Sequence, residues 1–260
     1  MCHADAPSNP SPAAATEEVA VALPTGEDLP ALYARPAGDA AAGPAPRPAV
    51  LVVHDIYGRT PFYEDLAARL AGAGFHALLP DGFFRQGALA ERTREAAFGR
   101  RAKLDDLRAL ADYSAAVDWL RARPEVAGGR TGTIGFCMGG TYVLNLAAAR
   151  DDLATVCYYG FPRSPGLGVN PGPSPLDQIG SMRGPVIAFW GDRDESVGMD
   201  NVAAFAAAAA RQGVDLDHTV YQGVGHGFLA QALTDPDHPG HGCASDAWDR
   251  TLAFYGRHLG

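Results

Sequence analysis

The sequence predicts a single α/β domain, a mostly parallel sheet with helices on both faces. Three observations carry this. The apolar runs Ala49 to His54 (AVLVVH), Ala154 to Tyr159 (ATVCYY) and Pro185 to Trp190 (PVIAFW) show no polar alternation, as expected of strands buried on both faces. Stretches with helical periodicity separate them, so the strands are joined by crossovers and run parallel. The runs lead into loops bearing Asp, Gly or His, and open α/β sheets gather their ligands at the carboxyl ends of strands.

Composition sets the frame. The chain has 260 residues, 47% hydrophobic and 20% charged, within the range of a soluble globular protein. A net charge of −9 argues against nucleic acid and anionic membrane as partners. No apolar run is long enough to span a bilayer, and no basic-then-apolar leader opens the chain. The four cysteines (Cys2, Cys137, Cys157, Cys243) are too scattered for a disulfide framework or a CxxC metal site, so a reducing cytoplasm is expected.

Residues 1–16, rich in Pro, Ala and Ser, are expected to form a disordered tail, with one domain over 17–260. Glu18 to Leu23 and Leu29 to Arg35 alternate as a hairpin around Thr25-Gly26-Glu27. An Ala/Gly/Pro-rich loop, 36–48, leads to the AVLVVH strand and its following loop Asp55-Ile56-Tyr57-Gly58. Pro61 to Ala73 is helical and stops at Gly74; Phe75 to Leu79 is the next strand. Leu89 to Arg123 is a long helical region broken near Gly99. Arg130 to Ile134 is a strand and Thr141 to Arg150 a helix. Phe161 to Gly180, full of Pro and Gly, is a loop or cap. Met199 to Arg211 is a helix, Asp217 to Tyr221 the last strand, and Ala244 to His258 the closing helix.

Between the 130–134 strand and its helix lies Gly135-Phe136-Cys137-Met138-Gly139-Gly140. A strand, a turn so tight that its central residue is strained, and a helix form the nucleophile elbow of α/β-hydrolases. Such a turn needs small residues two before and two after its reactive member, here Gly135 and Gly139. Cys137 takes the place of the usual Ser, over a helix N-terminus whose dipole favours an anion. The plain alternative is a buried cysteine in a Gly-rich turn.

Two further groups follow in the order acid, then base, each after a strand. Asp194 lies in Gly191-Asp192-Arg193-Asp194-Glu195-Ser196-Val197 and His226 in Gly223-Val224-Gly225-His226-Gly227-Phe228. An ordinary thiol is only about 3% thiolate at pH 7, so it needs a base. His226 takes the proton and returns it to the leaving group, while an acid orients the imidazole. The backbone N–H groups of Met138 and Ile56 are the candidate oxyanion donors. Asp192 and Asp200 compete with Asp194 for the acid's role, and turn capping is the commoner duty of such an Asp. His54, His76, His218 and His258 read as packed or exposed histidines. His238, His241 and Cys243 match no strong zinc spacing, so no metal is expected. Arg92 and Arg94 alternate with Glu91 and Glu95 as a solvated face would.

From about Ala49 to Leu259 the chain resembles the dienelactone hydrolases (carboxymethylenebutenolidases). The resemblance rests on HDIYG at 54–58, LLPDGFFRQG at 78–87, ERTREAAF at 91–98, GFCMGG at 135–140, YYG at 158–160, GDRDESV at 191–197 and GHGF at 225–228. It implies Cys137, Asp194 and His226 as the triad, with Asp194 preferred to Asp192. It also implies a gating role for Asp55, where the family has a Glu that contacts the resting thiol until substrate displaces it. Of the family's two carboxylate-holding arginines, Arg94 matches the first, and Ala230 stands at the second. Arg85, in the FFRQG stretch, is a possible substitute charge.

The function expected is hydrolysis of a small ester or lactone through a thioester, without a cofactor, by a monomer or small homo-oligomer. The rivals are a general carboxylesterase acting on neutral esters and a non-hydrolytic thiol sensor or binding protein on the same fold. A sensor has no need of a positioned base, so the Asp194–His226 pair argues for the enzyme.

Overall fold

The computed structural model describes residues 14–36 and 46–259. β1 (Ala14–Ala22), β2 (Asp28–Pro36), β3 (Ala49–Val53), β4 (His76–Pro80), β5 (Thr131–Phe136), β6 (Leu153–Tyr158), β7 (Val186–Gly191) and β8 (Leu216–Tyr221) form one sheet in the order β1-β2-β4-β3-β5-β6-β7-β8. From β4 to β8 every neighbour is parallel; β1 and β2 add an antiparallel hairpin at one edge. β3 to β7 are buried along their whole length, and β3, β6 and β7 accordingly read as apolar runs without polar alternation. The edge strands β1 and β8 keep many residues at least partly exposed.

The helices are α1 (Pro61–Gly72), α2 (Arg94–Arg101), α3 (Asp106–Arg121), α4 (Met138–Ala149), α5 (Met199–Gln212), α6 (Phe228–Ala232) and α7 (His241–His258). Their ends follow local chemistry. Pro61 opens α1 after Thr60, and the Thr93 hydroxyl accepts from the Ala96 N–H at the start of α2. Gly213, in the left-handed region, closes α5.

Four expectations need correction. β1 begins at Ala14, inside the stretch assigned to the tail, because Ala14 to Thr16 pair with Pro36 to Ala34; the rest of that tail lies outside the described residues. Gly99 sits within α2 and does not break the helical region. The break comes at 102–105, where the Asp105 carboxylate accepts from the Arg108 N–H and starts α3; one Gly costs a helix only about 1 kcal/mol. α4 starts at Met138, three residues earlier than its propensities suggest, since Gly139 and Gly140 are there for close approach. The 161–180 loop includes a 3₁₀ turn over Pro175–Ser181.

A buried polar group pins that loop to the helices. Asp106 receives the Arg101 guanidinium, the Tyr142 hydroxyl at 2.6 Å and the Gly172 N–H at 3.1 Å. Arg101 and Asp106 are almost fully buried, and removing one partner of such a pair typically costs about 3–5 kcal/mol.

Candidate active site

Cys137 stands between β5 and α4 with φ 56° and ψ −116°. This region is unfavourable for a residue with a side chain, and it persists because neighbours over-determine it. Its N–H donates to the Tyr158 carbonyl (3.0 Å), and its carbonyl accepts from the Thr141 N–H (3.1 Å). The two flanking glycines are required by contact. A Cβ on Gly135 would lie 2.1 Å from the Gly139 carbonyl oxygen, and one on Gly139 would lie 2.1 Å from that of Val53. The second contact seats the start of α4 directly on the end of β3. The two segments that carry the Met138 and Ile56 N–H groups are therefore neighbours. Met138 is the first residue of α4, where an N–H has no intrahelical acceptor.

At the other end of the site, the ring of His226 approaches Asp194, with Nδ1 and Oδ2 2.8 Å apart. Asp194 is buried, and its Oδ1 accepts from the Ser196 and Val197 N–H groups, both at 3.1 Å. One oxygen is held by its own loop and the other meets the histidine. Asp192 has a different duty: its Oδ1 accepts from the Gly223 N–H at 2.7 Å and ties the two loops together. The ring of His226 packs on Tyr159 (centroids 5.0 Å apart) and Phe161 (5.7 Å). Tyr159 follows the residue that accepts from the Cys137 N–H, and the Phe161 N–H donates to the Thr141 hydroxyl on α4 (2.9 Å). Cys137, Asp194 and His226 thus lie on one continuous network at the carboxyl edge of the sheet. Cys157, by contrast, is a core thiol that burial pushes up to about 12.

Asp55 is buried, and its Oδ1 accepts from the Tyr57 N–H at 2.8 Å, closing the loop after β3. Arg94 is exposed at the first residue of α2, with its guanidinium over the Phe98 ring at 5.3 Å. Arg85 is committed to two carboxylates, Glu27 and Asp112, so it offers no second charge to a substrate. Ala230 is buried in α6. His238 accepts from the Gly240 N–H, and His241 bonds the Ala232 carbonyl; among the described residues no cluster of His, Cys, Asp or Glu is arranged to hold a metal.

The structure adds a contact with no counterpart in the sequence reading. Arg100, on α2, donates from one NH2 group to the Ile56 carbonyl (3.1 Å) and from the other to the Gly87 carbonyl (3.2 Å), lying over the Phe83 ring. The Ile56–Tyr57 peptide is therefore held at both ends, by Asp55 through its N–H and by Arg100 through its carbonyl. Burial pulls the Arg100 guanidinium below its usual range, against the opposing charges of Asp81 and Asp55.

The dienelactone hydrolase family profile matches residues 30–259. The chain belongs to the dienelactone hydrolase family. It is 35% identical to a carboxymethylenebutenolidase of Rhodococcus opacus over 260 residues, covering all of this chain and 98% of that protein. It is 38% identical to carboxymethylenebutenolidase 2 of Cupriavidus pinatubonensis, covering 75% of this chain and 79% of the relative. Among solved structures, a Klebsiella pneumoniae chain assigned as a dienelactone hydrolase matches with a TM-score of 0.83 and 30% identity, over 94% of this chain and 99% of that one. This dienelactone hydrolase family member is accordingly a hydrolase with the α/β-hydrolase fold. Among the described residues, no helix is long and apolar enough to cross a membrane.

Proposed function

We propose that this family member cleaves a small ester or lactone through a thioester on Cys137. The observation that carries the reading is the Asp194–His226 contact, with the acid's second oxygen already satisfied by its own loop. A buried carboxylate so placed has one free direction, toward the imidazole. It holds the proton on Nδ1 and leaves Nε2 as the base. His226 takes the thiol proton as Sγ attacks the substrate carbonyl carbon. The oxyanion forms against the N–H groups of Met138 and Ile56. Collapse breaks the acyl C–O bond, and His226 gives its proton to the departing oxygen, which in a lactone stays tethered to the acyl chain. Water, deprotonated by His226, then attacks the thioester, and the carboxylic acid leaves with Cys137 restored as a thiol. The imidazolium formed twice in this cycle is buried, and Asp194 offsets its charge. A free thiol nucleophile suits a reducing compartment, which supports a cytoplasmic location.

Asp55 is assigned the gating role, restraining the resting thiol by like-charge repulsion. Asp55→Asn is expected to speed alkylation of Cys137 by iodoacetamide without substrate. An unchanged rate at fixed pH assigns Asp55 to loop closure alone, the duty its contact with the Tyr57 N–H already supports.

Substrate charge divides the two hydrolytic readings. If Arg94 holds a substrate carboxylate, one charge-assisted hydrogen bond of roughly 1.5–3 kcal/mol favours the acid by about one to two powers of ten in kcat/KM. The neutral-ester reading draws support from the exposed position of Arg94, the commitment of Arg85 and the burial of Ala230. The test is kcat/KM for a lactone with a free carboxylate against its methyl ester. With the carboxylate reading, the acid is preferred and Arg94→Ala removes the preference while sparing the ester. Preference for the methyl ester puts the general carboxylesterase first.

A further inference from the structure

We propose that His54 is a positioning residue that aims the Ile56 N–H at the oxyanion. The proposal deepens the reading above and rests on it. His54 is the first residue after β3 and is fully buried. Its Nε2 lies 3.0 Å from the Gly82 backbone nitrogen. A backbone N–H only donates, so Nε2 presents a lone pair. The ring proton is then on Nδ1, which donates to the Asp55 carbonyl at 2.8 Å. The same carbonyl accepts from the Gly58 N–H at 3.1 Å.

That carbonyl shares one peptide group with the Ile56 N–H. In a trans peptide the C=O and N–H point in opposite directions. Holding the oxygen from one side therefore sets the direction of the hydrogen on the other. A donor on the carbonyl also polarises the amide and strengthens its own N–H as a donor. The ring cannot readily turn away: Phe83 stacks on it at 5.5 Å between centroids and 21° between planes, and Tyr63 packs at 6.3 Å. Asp81, Arg100 and the Asp55 backbone are the polar surroundings that bear on its titration, and burial lowers its pKa from the ordinary histidine value. The neutral ring is the form this geometry requires, because protonating Nε2 would set two donors against each other at Gly82.

Two variants separate aiming from mere packing. Asn at this position can place its amide nitrogen near Nδ1 and keep the bond to the Asp55 carbonyl. Gln reaches the Nε2 position and keeps only the Gly82 partner. Removing an oxyanion donor outright costs about 10²–10³ in kcat. Misaiming one should cost His54→Gln about tenfold or more, with KM little changed, because the oxyanion exists only in the transition state. His54→Asn should stay within about threefold of the wild type on the same scale. Affinity for a trifluoromethyl ketone, whose adduct carries the oxyanion, should fall in parallel with kcat. Equal kcat and equal ketone affinity in both variants would overturn the proposal. A second measurement needs no variant: ¹⁵N NMR of the wild-type protein should show His54 as the Nδ1–H tautomer, unchanged between about pH 5 and 8. An Nε2–H tautomer or a titrating His54 would overturn it. Cys137→Ala, run alongside, tells the two claims apart. Hydrolysis surviving in Cys137→Ala removes the nucleophile reading itself, whereas a dead Cys137→Ala beside a fully active His54→Gln removes only the role of His54.

Discussion

Cys137→Ala, His226→Ala and Asp194→Asn are each expected to lower kcat by on the order of 10³-fold or more, and the double and triple variants should lose little further, because the three act as a unit. Asp192→Asn is the control. Its carboxylate accepts from the Gly223 N–H and does not meet the imidazole, so most of the activity should remain. The acid assignment fails if Asp192→Asn is the dead variant and Asp194→Asn the active one. Steady-state kinetics on an activated ester, with circular dichroism to confirm folding, provide the check.

The second large effect is expected at the elbow. Gly135→Ala puts a methyl carbon 2.1 Å from the Gly139 carbonyl oxygen and 2.5 Å from its carbon, both backbone atoms that cannot swing aside. Either β5 or α4 must move, and with them Cys137 and the Met138 N–H. Overpacking of this kind costs roughly 3 kcal/mol or more, and a shift of about 1 Å in the reacting groups costs on the order of 10²-fold in rate. Gly242→Ala, in α7 with nothing within 4 Å of the new carbon, should instead be neutral or slightly stabilising through helix propensity. Urea midpoints and kcat for the two variants make the comparison. A Gly135→Ala protein as stable and active as Gly242→Ala would show that the turn is looser than its contacts imply.

The parts of the molecule that could be read from sequence are those whose local pattern and tertiary role coincide. β3, β6 and β7 are buried on both faces and are written as unbroken apolar residues. The elbow was legible because steric demand leaves a Gly-x-Cys-x-Gly imprint. The contact between Asp194 and His226 was only partly legible: each residue follows a strand, but Asp192 shares the acid's loop, and the preference for Asp194 came from the family resemblance. Other features were not local. Three residues of β1 carry no alternation of their own and take strand form from β2. α6 is five residues long, too short for a period to register. Arg100 reaches the Ile56 carbonyl across 44 residues of chain, a contact that the local charge pattern around Arg92 and Arg94 does not encode. His54 looks like any core histidine at the end of an apolar run. Its role lies in which nitrogen faces the Gly82 N–H, and no residue pattern encodes that.

The proposed cycle depends above all on acylation of Cys137. The most direct measurement is mass spectrometry of the wild-type protein quenched during the burst with p-nitrophenyl acetate, followed by peptide mapping. One acetyl group should appear on the peptide containing Cys137, be lost on treatment with hydroxylamine as a thioester is, and be absent from Cys137→Ala. An acetyl group on another side chain with turnover intact, or a burst that persists in Cys137→Ala, would rule out Cys137 as the nucleophile.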